Sequence, residues 1–418
     1  CDYVEASNDL SILDERVAYT DARTKAATAA TETILDHTKR QIATIERDCI
    51  PGTALPVFAG GDWEDTLQPA DPAMARKMVS AWTVELAFQT LERYRAVCER
   101  AGKRAMAERL AGLCARIRAD FQRHLVPDGV VAGLAHFGRD GIEYFLHPRD
   151  RRTGVSYRLL PMTRGMISGL FTPEQARRHA ALIERHLSFP DGVRLMNRPM
   201  EYRGGTSRTF KRAESAANFG REIGLQYVHA HIRYIEAMAR IGRPDEAFQA
   251  LLAICPIRLD VDVPSALPRQ ANAFFSSSDA AFMDRRQASR QFGRVRTGRI
   301  GVKGGWRIYS SGPGIFLNQL ISNVLGIRTF FDDVVLDPVL PRRADGLTFD
   351  FAFDGRRVEY RYRVTGDGFS PREVHVNGRR FPRERYADNP YRRGGMLIER
   401  RAFSESLDAD RNLIEIVV

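Results

Sequence analysis

Lysine is nearly absent from this basic chain. Six of its 63 basic residues are lysine (Lys25, Lys39, Lys77, Lys103, Lys211 and Lys303), so arginine carries the formal charge of +11. The arginines are scattered, and many adjoin acids, as in Asp150-Arg151-Arg152 and Asp284-Arg285-Arg286. No Lys/Arg block or zinc-finger spacing accompanies them. Two isolated fragments, Tyr202-Arg203-Gly204-Gly205 and Arg392-Arg393-Gly394-Gly395, do not amount to an RGG tract, so nucleic acid is not the expected partner. Long apolar runs are missing too. Nothing approaches the ~18 uncharged apolar residues of a transmembrane helix, so no membrane partner is expected. Cysteine is scarce and odd in number: Cys1, Cys49, Cys98, Cys114 and Cys255 include no C-x-x-C pair. They read as reduced thiols of a cytoplasmic protein, with neither a disulfide frame nor a metal site.

What is present is a globular composition: 418 residues, 44% apolar, with 23 Phe and 13 Tyr spread along them, which argues against disorder. Apolar residues at helical spacing predict helices over Ala22–Arg47, Asp71–Gly102, Lys103–His124, Thr172–His186, Glu214–Arg240, Pro244–Ile254 and Gly314–Leu325. Asp71-Pro72 and Thr172-Pro173 are helix starts, and Gly102 is a stop between two long helices. Pairs of helices joined by short breaks point to an array of α-hairpins or a toroid built from them. Near residue 333 the pattern changes to period two, as in Leu347–Phe353 and Val358–Val364 with Asp354-Gly355 between them, then Val374–Gly378 and Ile414–Val418. The expected organisation is a helical domain over 1–332 and an antiparallel β unit over 333–418.

Four long irregular segments (50–70, 190–212, 256–280 and 296–314) interrupt the helices. Such segments are uncommon unless they build a site, and in a toroid they gather at one mouth. The first contains Gly60-Gly61-Asp62-Trp63-Glu64-Asp65: an indole face suits a sugar ring, and carboxylates bind hydroxyls or protonate a glycosidic oxygen. An acidic turn around a core tryptophan accounts for it equally well. In Tyr227-Val228-His229-Ala230-His231 the two histidines point to different faces, so they cannot share one metal as an i, i+4 pair could. Hydrogen-bonded core histidines are the simpler reading, with an anion contact for one of them as the alternative. Trp306-Arg307-Ile308-Tyr309-Ser310-Ser311-Gly312-Pro313-Gly314 runs into a helix. It suits a phosphate, or is a plain helix start. Arg198, Tyr202 and Glu214 lie near the same rim and fit sugar recognition or a solvated loop equally.

Taken in order, the Asp62–Asp65 loop, His229-Ala230, Trp306–Gly312 and Leu336-Asp337-Pro338-Val339-Leu340-Pro341 resemble the inverting phosphorylases of glycoside hydrolase family 94. Leu159–Gly165, Pro190–Met196 and Lys303–Gly312 look most like the members acting on β-1,2-linked gluco-oligosaccharides. The resemblance implies an (α/α)6 barrel with a C-terminal β-sandwich or jelly-roll domain. It implies reversible phosphorolysis with inversion, yielding α-glucose 1-phosphate, with inorganic phosphate as co-substrate, no cofactor, and a homodimer. By position, Asp65 is the general acid and Asp62, Trp63, Arg198, Tyr202, Glu214 and Tyr309 contact sugar. His229, Ser310, Ser311 and Gly312 hold phosphate. Like-charge repulsion from Asp62 and Glu64 is expected to keep Asp65 protonated. Glu64 stands where relatives often have Asn, and Ser310-Ser311 replaces Thr-Gly. On this reading Cys1 falls inside the barrel, so an N-terminal β-sandwich and the first barrel helices would lie upstream. A cellobiose-type phosphorylase, an inverting hydrolase using Glu201 or Glu214 as base, and a non-catalytic carbohydrate-binding remnant are the alternatives.

Overall fold

The helical periodicity produces eight principal helices in a computed structural model, which describes residues 1–58, 61–217, 226–255, 259–267, 277–304, 311–382 and 385–418. They are α1 (Ile34–Arg47), α2 (Ala81–Arg100), α3 (Arg104–His124), α4 (Leu159–Ser168), α5 (Pro173–Leu187), α6 (Val228–Arg240), α7 (Pro244–Ala253) and α8 (Ser311–Gln319). The Ser80 side chain caps α2 by accepting the Thr83 N–H, and Val84, Phe88, Leu91 and Val97 bury one face. Gly102, at φ 69°, turns the chain so that α3 packs on α2 through Leu110, Leu113, Ile117 and Phe121. Thr172 and Gln175 form a capping box on α5 with Pro173 in its first turn. Every residue of α4 from Leu159 to Ile167 is buried, which marks it as an inner helix, and it lies against α2 and α6. No helix among the described residues is long and apolar enough to cross a membrane.

Three predicted helices are shorter than their patterns. Ala22–Arg47 opens as a hairpin, β1 (Arg16–Thr20) with β2 (Ala27–Thr33), and α1 starts only after Thr33 caps Asp36. Asp21 accepts the N–H groups of Arg23 and Thr24, a local turn that competes with helix, and the threonines that follow favour extended backbone. In Asp71–Gly102, Asp71 does cap a helix, but it lasts one turn (Pro72–Ala75). Met78–Ser80 then forms β3, which pairs with β4 (Leu134–Gly138), itself paired to β5 (Gly141–Phe145). Complete burial of Met78, Val79 and Ser80 overrides helix propensity there. In Glu214–Arg240 a short helix ends at Ser215, and α6 begins at Val228 after β6 (Gln226–Tyr227).

The C-terminal region holds two sheets, and its first strand, β9 (Ile327–Phe330), precedes the expected boundary at 333. The four-stranded sheet has the order β9, β10 (Asp333–Leu336), β16 (Met396–Glu399), β15 (Arg385–Tyr386). The five-stranded sheet has the order β11 (Thr348–Asp350), β12 (Arg357–Arg363), β17 (Arg411–Val417), β13 (Glu373–Val376), β14 (Arg379–Arg380). The expectation of a purely antiparallel unit is corrected here: β12 and β17 run parallel from Arg357↔Arg411 to Arg363↔Val417. Alternation shows which face is buried (Val358, Tyr360 and Tyr362 against Ile414 and Ile416) but carries no information about strand direction.

This region docks on the inner helices through residues 389–392. The Tyr391 hydroxyl donates to the Gly165 and Phe171 carbonyls, Asn389 to the Arg240 carbonyl, and Arg392 to Asp337 and the Ala239 carbonyl. The second RGG-like fragment is therefore a packing device. A Cβ on Gly394 or Gly395 would fall 2.0 Å from the Ala387 oxygen or 2.2 Å from the Asp337 Cβ.

Candidate active site

One buried arginine organises the acidic loop. Arg158 stands immediately before α4, and its guanidinium is completely buried. Its Nη2 and Nη1 donate to the two Asp62 oxygens (2.7 and 3.1 Å), and its Nε donates to Glu64 (3.2 Å). Asp62 also accepts the Glu64 N–H at 2.9 Å and the Ser80 hydroxyl. Burial pushes the Asp62 carboxyl up, but the charge and hydrogen bonds of Arg158 outweigh that and hold it below the usual range. Thr83 adds a hydroxyl bond to the Gly61 carbonyl (2.9 Å). The loop is thus clamped on both sides of Trp63, between the start of α2 and the start of α4.

The clamp changes the expected electrostatics. Asp62 and Glu64 share the charge of Arg158, and Asp65 forms an ion pair with a cation, Arg212, at 3.3 Å. The charge of these two acids is thus compensated by Arg158 and not left to act on Asp65 alone. Asp65 itself is well exposed at 68%.

The loop that follows pairs with the 190–212 segment. Pro69 bridges to Phe210, the Ala70 N–H donates to the Thr209 carbonyl, and the Lys211 N–H donates to the Gln68 carbonyl. Glu214 stands beneath that seam. Its carboxylate accepts the N–H groups of Arg208 (2.7 Å), Thr209 and Phe210 (both 2.9 Å), with Arg203 at 3.6 Å. A carboxylate offers about four acceptor directions, and here they are committed to shaping the loop. Glu201 is exposed and paired with Arg203 at 2.9 Å. Tyr202 lies under the buried Arg285, whose guanidinium donates to the Met200, Ala213 and Ala216 carbonyls; Arg198 is exposed on the rim.

The two histidines of α6 divide as their spacing suggests. His231 is fully buried and satisfied: its Nδ1 accepts the Val193 N–H (3.1 Å), and its Nε2 lies 2.8 Å from the Ala250 carbonyl. His229 instead meets the acidic loop, with its ring edge-to-face against Trp63 at 5.5 Å, while Tyr227 packs on Trp63 at 5.0 Å. Burial, with Arg233 and Arg164 adding to it, lowers His229 to about 4, so its ring is neutral at physiological pH.

Trp306, Tyr309 and Ser310 lie outside the described residues, as does the side chain of Ser311. Both ends of their segment are placed, however. β8 (Val302–Gly304) pairs with β7 (Ser277–Ala280), which pairs with β6, the strand leading directly to His229. Gly304 and Gln226 both stand opposite Ser278, which at two strand spacings puts their backbones about 10 Å apart. On the other side α8, which contains the buried Gly312, packs against α6. The strand and helix flanking 305–310 are thus both held beside His229.

Composition and motif reasoning overlooked Arg158, Glu85, Arg164 and Arg233. A usable signal for two of them was two arginines bracketing the apolar run Leu159–Thr163, since a charge in an otherwise buried helix needs a partner.

Comparison with known proteins identifies the family of the chain. The catalytic domain of the glycosyl hydrolase 94 superfamily matches residues 1–288, and a glycoside phosphorylase C-terminal domain matches residues 326–416. The chain is 45% identical over 403 residues to a Listeria innocua protein named 1,2-beta-oligoglucan phosphorylase, covering 96% of this chain and 36% of that protein. It is 27% identical over 221 residues to a Neurospora crassa cellobionic acid phosphorylase, covering 50% of this chain and 25% of that one. The chain thus spans about a third or less of the length of these relatives. A crystal structure of a family GH78 rhamnosidase from Bacillus sp. GL1 superposes with a TM-score of 0.40 at 14% identity, over 79% of this chain and 29% of that one, too loose a likeness to define the fold. By its domain matches, this chain belongs to the glycosyl hydrolase 94 superfamily.

Proposed function

We propose that this chain forms the acid-bearing and phosphate-bearing part of an inverting phosphorylase for β-1,2-linked gluco-oligosaccharides. Asp65 would protonate the glycosidic oxygen while inorganic phosphate attacks the anomeric carbon from the opposite face, turning a β-glucoside into α-glucose 1-phosphate. Trp63, with Asp62, Arg198, Tyr202, Glu214 and Tyr309, would line the sugar site, and His229, Ser310, Ser311 and Gly312 the phosphate site. Asp62 and Glu214 would contribute mostly by holding backbone in place, since their oxygens already serve the loops. We further read the helices as part of an (α/α)6 barrel, the two sheets as a β-sandwich, and the protein as a cytoplasmic homodimer that needs no cofactor.

The observation carrying this reading is the Trp63–His229 contact, which joins the acid loop to the histidine flanked by both ends of the 305–310 segment. The inverting hydrolase is disfavoured. It needs a second carboxylate about 6.5–9.5 Å from the acid to activate water; the oxygens of Glu214 are committed to three backbone N–H groups, which leaves Glu201, exposed and paired with Arg203, as the remaining candidate. Phosphate arrives anionic and needs no such base. Arg212 is a modest obstacle to Asp65: an ion pair between side chains 39% and 68% exposed is worth about 0–1 kcal/mol, which an incoming sugar hydroxyl can replace. The test is release of glucose 1-phosphate from a β-1,2-linked gluco-oligosaccharide by the protein carrying this chain, with and without phosphate. Activity should require phosphate, and Asp65→Asn should lower kcat by about 100-fold or more. Phosphate-independent glucose release, or an active Asp65→Asn variant, overturns the assignment.

A further inference from the structure

Three inner helices begin at the site, and each carries a charged residue one to two turns deeper. Glu85 lies five residues beyond the Ser80 cap of α2, Arg164 six beyond Arg158 on α4, and Arg233 four beyond His229 on α6. At 1.5 Å rise per residue these side chains start about 6–9 Å below the mouth. Buried polar atoms are nearly always hydrogen-bonded, yet here both Glu85 oxygens and the Nε atoms of Arg164 and Arg233 have no partner among the described residues. The surrounding acids are already allotted: Asp62 and Glu64 to Arg158, Glu236 to Arg233 at 2.7 Å. Arg164, only 8% exposed, donates to the neutral Gln89 amide oxygen at 2.7 Å.

We propose that Arg164, supported by Arg233, is the charge-compensating residue of the phosphate site below His229; this rests on the phosphorolysis reading. Three features carry it. A buried guanidinium without a carboxylate costs several kcal/mol unless a counter-charge reaches it. His229 stands one turn above Arg233 with a neutral ring, so it can give phosphate a hydrogen bond but no net charge, while phosphate brings about −1.5 to −2 at neutral pH. Glu236, the acid whose charge acts most on Arg164, is bonded to Arg233, and the buried Glu85 makes no bond to Arg164 while burial pushes its carboxyl well above the usual range, which disfavours a negative charge there. Arg164 and Arg233 act as positioning residues that hold the anion by field, directly or through water, beneath the groups that touch it.

The test is titration calorimetry of the protein carrying this chain with inorganic phosphate, and separately with a β-1,2-linked glucose disaccharide. Arg164→Met should raise the phosphate Kd by about tenfold or more, with Arg164→Lys recovering most of the loss and the disaccharide Kd moving less than about twofold. Should Arg164→Met fail to fold, Gln89→Glu supplies Arg164 with a carboxylate without opening a cavity, and it should weaken phosphate about tenfold by the same principle. Phosphate affinity unchanged in these variants, phosphate and sugar weakened in parallel, or no phosphate binding by the unsubstituted protein would each overturn the proposal. Failure of phosphorolysis itself reads differently: no glucose 1-phosphate forms, while anion affinity still depends on Arg164.

Discussion

Replacing Arg158 by methionine removes the cation that bonds both buried carboxylates. All three side chains are fully buried, so neither Asp62 nor Glu64 can turn to water when the guanidinium goes. Breaking a buried ion pair from one side costs about 3–5 kcal/mol, a large share of the 5–15 kcal/mol typical of a whole domain. Arg158→Lys keeps the charge but loses the fork that spans both acids, so it should cost about 1–3 kcal/mol. The decisive comparison is Asp62→Asn/Glu64→Gln/Arg158→Met, which removes all three charges together. If stranded charge is the cause, this variant should recover most of the stability lost by Arg158→Met alone, yet remain poor in phosphorolysis because the Trp63–Asp65 loop has lost its clamp. Urea titration at pH 7 measures the stability from midpoints at constant slope, and glucose 1-phosphate release measures the activity. An Arg158→Met variant that loses under about 1 kcal/mol, or a neutral triple variant no better than the single one, would refute this account.

Two further outcomes concern buried titrating groups. His179 and His231 are held neutral by burial, each at about 4 against an ordinary 6.5. The unfolded chain therefore binds more protons as the pH falls below 6.5, and stability should drop down to about pH 4, by about 2–3 kcal/mol per histidine; a urea midpoint flat between pH 7 and 4.5 would contradict this. Glu85 has the opposite sign. Its raised carboxyl makes the folded state increasingly costly as pH rises above 4.5, so Glu85→Gln should be no less stable at pH 5 and progressively more stable toward pH 8. A Glu85→Gln variant destabilised by more than about 1 kcal/mol at pH 8 would mean that the carboxylate is ionised and paired.

Local chemistry determined much of what could be read beforehand. Helix starts at Thr172-Pro173 and Asp71-Pro72, the stop at Gly102 and the period-two strands near the C-terminus each rest on bonds or alternation within a few residues, so they are legible one segment at a time. His229 and His231 were expected to face apart because two residues on a helix are about 200° apart, and one proves satisfied in the core while the other meets Trp63. What the one-dimensional pattern lacks is the identity of distant partners. Whether Met78–Ser80 extends or coils depends on Leu134–His136, and whether β17 runs parallel depends on where the chain re-enters the sheet after β14. The charge state of the acid loop depends on Arg158, 94 residues beyond Glu64. Sequence determined which residue types could do the chemistry, because that is a property of side chains. Only the tertiary structure decided which of them are spent on one another and which stay open to a ligand, because ion pairing, desolvation and hydrogen-bond saturation arise when the chain closes on itself.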